Sequence, residues 1–124
     1  MTSRTTVRLA LVGAATAVAA VLPLTAQAAA PVLNGSVGPD TSFTISLKDA
    51  TGRKVTALKA GAYTIKVSDT AAIHNFHLTG PGVNKDTGVK AKSTVTWNVT
   101  LKKGTYKFVC DPHASSMKGS FKVT

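Results

Sequence analysis

The chain has 124 residues, fifteen Lys and Arg against five acids, a net charge of +10 and 44% hydrophobic residues. That length allows one domain with one modest core and excludes a multidomain architecture. The lysines are scattered from Lys48 to Lys122 and form no dense run interleaved with aromatics, which argues against nucleic acid as a partner.

Arg4 and Arg8 precede an almost wholly apolar stretch, Leu9 to Leu24, and then Thr25-Ala26-Gln27-Ala28-Ala29-Ala30. A charged start, an apolar middle and a small-x-small end predict a secretory signal peptide over residues 1–28, with cleavage as late as 30. The apolar run is short for a membrane span and is broken by Pro23. Cleavage leaves a single domain, 29–124, with thirteen Lys and Arg against five Asp and no Glu. No further apolar span follows. The predicted product is an exported monomer, extracellular, at the cell surface or periplasmic, whose positive surface steers it toward an acidic partner.

Strand patterns fill the rest of the chain. Ser42–Leu47 alternates, with Phe43, Ile45 and Leu47 on one face, and a turn follows at Asp49–Arg53. Tyr63–Val67, Thr94–Leu101, Tyr106–Cys110 and Gly119–Val123 alternate in the same way. Period-two alternation of β-branched and aromatic residues is the pattern of a half-buried strand. Ile73–Leu78 reads as another strand, and Gly80 to about Ser93 reads as loop. The fold class is all-β, a sandwich of two sheets. Leu58-Lys59-Ala60-Gly61-Ala62-Tyr63 echoes Leu101-Lys102-Lys103-Gly104-Thr105-Tyr106. Shared turn chemistry explains this without a duplication, and each tyrosine is expected at the core edge with its hydroxyl bonded nearby.

The single cysteine is informative, because exported domains usually pair their cysteines. Cys110 has no partner in the chain, so a metal is one way to protect its thiol. Cys110-Asp111-Pro112-His113-Ala114-Ser115-Ser116-Met117 places a thiol, an imidazole and a thioether on one short loop. Two His and one Cys in a near-trigonal plane with a weak axial Met form a blue-copper site. Zinc also takes Cys and His, but a thioether serves it poorly. The second histidine is His74 or His77. In a strand, His74 shares a face with Phe76 and Leu78, so alternation selects His74; a bulge would bring in His77. Asp111 is expected to cap the loop. There is no G-x-S-x-G, Gly-rich phosphate loop or carboxylate pair, and no enzymatic role is expected.

His74-Asn75 and the pattern Tyr106-x-Phe108-x-Cys110-x-x-His113-x-x-x-Met117 resemble the cupredoxins, the small blue-copper proteins of the plastocyanin/azurin family, from about Gly35 to Thr124. The resemblance implies a Greek-key β-sandwich holding one type 1 copper ion. His74, Cys110 and His113 match the equatorial ligands and Met117 the axial one, and Asn75 ties its loop to the cysteine loop. It further implies an electron carrier cycling Cu(I)/Cu(II) with a redox protein partner, and His113 as the electron port. Pro112, Ala114, Gly80 and Pro81 are expected around that port. Copper storage, buffering or delivery is the alternative use of the same ligands. The departure from the family lies in the loop: two residues separate Cys110 from His113, as in plastocyanin, but three separate His113 from Met117, as in azurin.

Overall fold

The computed structural model describes residues 10–124. The first nine residues, including the Arg4 and Arg8 of the expected signal, lie outside the described residues. Residues 10–31 make no strand or helix, and no helix of the described residues is long and apolar enough to cross a membrane.

Among the described residues, nine strands form two facing sheets. The first sheet has the order β2-β1-β4-β7, from β1 (Val32–Val37), β2 (Ile45–Asp49), β4 (Gly61–Asp69) and β7 (Ser93–Leu101). The second has the order β3-β9-β8-β5-β6, from β3 (Ala57–Leu58), β5 (His77–Gly80), β6 (Val83–Asp86), β8 (Gly104–Val109) and β9 (Lys118–Val123). Both sheets are mixed, since β1 runs parallel to β4 and β3 parallel to β9. The chain crosses repeatedly between the layers, as in a Greek-key sandwich.

Alternation decides what each strand buries. Tyr63, Ile65 and Val67 of β4 face inward, as do Tyr106 and Phe108 of β8 and Phe121 and Val123 of β9. The core is aromatic at its centre. Phe76 stacks on Phe108 with centroids 5.5 Å apart, and Tyr106 stacks on Phe121 at 5.3 Å. Within the second sheet, two rings of β8 lie across glycines of the neighbouring strands and leave no room for a side chain there. A Cβ on Gly119 would press into Phe108, and one on Gly80 into Tyr106.

The repeated turn motif has a shared geometry. Gly61 and Gly104 adopt φ of +151° and +148°, a region that favours glycine. Tyr63 donates its hydroxyl to Lys59 O at 2.8 Å, and the Tyr106 hydroxyl accepts from Lys102 N–H at 2.9 Å. Each tyrosine thus pins the turn four residues before it.

Three expectations are corrected. Strand β2 begins at Ile45, and Phe43 is 56% exposed and lies outside the core. Ile73–Phe76 is not strand: His74, Asn75 and Phe76 are buried in succession, which breaks alternation, and β5 begins only at His77. The stretch read as loop after Gly80 contains β6.

Candidate metal centre

The site forms at the pole where β8 ends and β5 begins. Antiparallel pairing sets His77 beside Val109, so the residues before β5 and those after β8 leave the sheet together. Cys110 leads into a 3-10 turn, Asp111–His113, with Pro112 inside it. Proline's fixed φ suits a first helical turn, where its missing N–H has no partner to lose. Cys110 N–H donates to Met117 O at 2.9 Å, and Met117 N–H to His113 O at 2.8 Å. These bonds close residues 110–117 into a tight loop. They return Met117 to the core, where it is buried in the same cluster as Cys110.

Three donor atoms converge inside this loop. His74 Nδ1 lies 3.0 Å from His113 Nδ1 and 3.6 Å from Cys110 Sγ, and Cys110 Sγ lies 3.5 Å from His113 Nδ1. The centre of the circle through three atoms so spaced is about 2.0 Å from each, a metal–imidazole bond length and slightly short for a metal–thiolate bond. Cys110 and His74 are fully buried. Two imidazoles and a thiolate beside a buried thioether suit copper, so the residues present fit such an ion.

A polar clip holds the two arms of the site. Asn75 Oδ1 accepts from Asp111 N–H at 2.7 Å, while Asn75 Nδ2 donates to Asp111 Oδ2 at 2.7 Å and Asp86 Oδ1 at 2.8 Å. Asn75 directly follows His74, and Asp111 directly follows Cys110, so the clip fixes one donor against the other. On the outer side, the Phe43 ring lies edge-to-face against both imidazoles, with centroids 5.2 Å from His74 and 4.9 Å from His113.

Residues 44–124 match the sequence profile of the copper binding proteins of the plastocyanin/azurin family. The chain belongs to this family, the cupredoxins. Its cofactor is one type 1 copper ion. Solved structures share the fold at low identity. Rusticyanin from Thiobacillus ferrooxidans is 18% identical with a TM-score of 0.52, over 75% of this chain and 76% of that one. A methionine-to-glutamine variant of rusticyanin is 17% identical with a TM-score of 0.55, over the same shares. A chain from a heme-copper terminal oxidase dimer is 16% identical with a TM-score of 0.51, over 75% of this chain and 63% of that one. A comparison with curated proteins finds no match.

Two expectations about this cupredoxin's site surroundings change. Asp111 does not cap the loop: no side chain caps the 3-10 turn, and the Asp111 carboxylate binds Asn75 and His77 instead. Gly80 and Pro81 are not near the donors. They lie at the opposite end of β8, where Pro81 O accepts from the Tyr106 hydroxyl at 2.9 Å. Residues missed from sequence replace them, above all Phe43. Its place in an apparent strand alternation disguised it as core.

His77 stands outside the donor triangle. Its Nδ1 meets Asp111 Oδ2 at 2.9 Å, and its Nε2 meets Asn84 Oδ1 at 2.8 Å. Both partners accept, so only the imidazolium donates to both. Burial alone would lower its pKa, but the bonds to Asn84 and Asp111 and the charges of Asp111 and Asp86 outweigh it and hold His77 above its ordinary 6.5. Asp111 is the mirror case. Burial pushes its pKa up, and hydrogen bonds from Asn75 and His77 bring it below the usual carboxylate value. Folding therefore tightens proton binding at His77. Its stabilising contribution is complete below the unfolded value and is lost as pH rises through the folded one. In His77→Gln, the stability lost relative to the parent should be larger at about pH 5.5 than at about pH 8.5. Urea denaturation at both values checks this, and an equal loss at both would reject the charged pair.

Proposed function

We propose that this cupredoxin is an exported carrier of single electrons, with His74, Cys110, His113 and Met117 as its metal ligands. The observation that carries the reading is the donor triangle, with the buried Met117 on the same loop as Cys110 and His113. When bound, copper supplies a one-electron Cu(I)/Cu(II) couple. The chain's part is to hold the donors still. The 110–117 loop is internally bonded, and the Asn75 clip anchors it to the His74 arm, so little need rearrange as charge changes. His113 is the donor nearest solvent and serves as the electron port. Pro112 and Ala114 are exposed beside it.

The pattern Arg4, Arg8, Leu9–Leu24 and Ala26–Ala30 supports export by a cleaved signal over 1–28, leaving 29–124 as a monomeric domain. No enzymatic role is proposed. An acidic redox partner is favoured by the lysines on the strand faces. Four of the five aspartates, Asp40, Asp69, Asp86 and Asp111, make hydrogen bonds among the segments framing the metal pole. The basic charge therefore steers from the flanks, and association should slow as salt rises.

Voltammetry of the copper-loaded protein tests the carrier role. The expected result is a reversible one-electron wave with copper retained in both states. Release of Cu(I) to a chelator on reduction would instead indicate storage or delivery. Met117→Leu should keep the metal and move the potential upward, since removing a weak donor disfavours Cu(II) more than Cu(I). Complete loss of copper from that variant would reject the weak axial role.

A further inference from the structure

Metal-bound imidazoles are normally oriented by a hydrogen bond from the second ring nitrogen. His74 lacks one. Its Nε2 is buried and has no hydrogen-bond partner among the described residues. Packing must then set the ring plane. One aromatic ring packs against both imidazoles among the described residues: Phe43, whose ring meets His74 at an interplanar angle of 71° and His113 at 88°.

We infer that Phe43 is a positioning residue for the metal centre, a wedge that fixes both imidazole planes and closes the site to small outside ligands. This rests on the ligand assignment and deepens it.

The chain holds the wedge in place by means unrelated to the core. Gly38 N–H donates to Thr44 O at 3.2 Å, and Ser42 N–H to Pro39 O at 2.9 Å, closing the loop that carries Phe43. Asp40, on the same loop, accepts from Ala72 N–H at 2.6 Å and Ile73 N–H at 3.3 Å. Those two amides immediately precede His74. Lys92 Nζ meets the other Asp40 oxygen at 3.5 Å. The loop with the wedge is thus tethered directly to the arm with the histidine. An aromatic ring that is 56% exposed contributes little to the core, so its seat across two metal-facing rings is the feature to be explained. An apolar cover raises the cost of the more highly charged Cu(II), because shielding from water sets the local dielectric.

The test is Phe43→Ala with Phe43→Tyr as the conservative control. In the apoprotein, side-chain NMR should show one set of His74 and His113 ring signals for the parent and for Phe43→Tyr. Phe43→Ala should show broadened or doubled sets. In the copper-loaded protein, Phe43→Ala should lower the potential by the equivalent of about tenfold in the Cu(II)/Cu(I) ratio, ~59 mV for one electron. Azide, used as the probe, should alter the visible spectrum of Phe43→Ala and leave parent and Phe43→Tyr unchanged. Unchanged ring signals together with azide silence in Phe43→Ala would overturn the inference. A parent protein without a reversible wave would instead sink the carrier reading, while the ring signals and the azide response still judge Phe43.

Discussion

Cys110→Ser should abolish the intense blue absorption of the copper-loaded protein. The colour of a type 1 site comes from thiolate-to-copper charge transfer, and the chain contains one cysteine, so no other residue can restore it. Copper affinity should fall by more than the ~10–100-fold typical of losing an outer partner of a metal ligand. A hydroxyl is a poor substitute for a thiolate toward a soft ion. Titration with Cu(II), followed by visible absorption and by competition with a chelator, measures both effects. The fold should survive, because serine is smaller than cysteine and its hydroxyl takes the same place between His74 Nδ1 and His113 Nδ1. A variant that stays blue would be incompatible with the proposed ligand set.

Gly119→Ala should strongly destabilise the sandwich. Gly119 pairs with Phe108 across β8 and β9, and a Cβ there would come within 3 Å of three atoms of that ring. The ring cannot yield. It is buried and stacked on Phe76 at an interplanar angle of 4°. Overpacking of this kind costs about 1–3 kcal/mol, and a locked aromatic neighbour places it near the upper end. For a domain of this size the expected fall in Tm is about 10–20 °C. Thermal melts of the single variant and of the double variant with Phe108→Leu check the cause. The smaller, flexible leucine should recover part of the loss. Additive losses would show that the clash is not with Phe108.

Much of the fold was legible because most strands are half-buried and so alternate. Tyr63–Val67, Thr94–Leu101, Tyr106–Cys110 and Gly119–Val123 match β4, β7, β8 and β9 to within two residues at each end. What escaped lacks that signature. Strand β1 contains Gly35, which faces Phe76 and carries no side chain to mark its side. Strand β3 is two residues long and β6 exposes three of its four. At the site, Cys110, His113 and Met117 could be read together because one loop carries them. The juxtaposition of His74 with Cys110 was also anticipated, but through strand alternation that residues 73–76 do not obey. The Asn75–Asp111–His77 network and the Phe43 wedge join residues about thirty to seventy positions apart. No local pattern encodes such pairs.

The complete burial of Cys110 has a consequence for the order of events in folding. The β8–β9 hairpin is a local structure, and it gathers Cys110, His113 and Met117 early. His74 joins only when β5 docks on β8, some thirty residues away in sequence, and long-range pairings form slowly. Until then the thiol is open to solvent, and under air two chains can join through a disulfide. The hazard to this cysteine is therefore kinetic. It ends when the second sheet closes, so the yield of refolding under air should depend on chain concentration until a reductant is present.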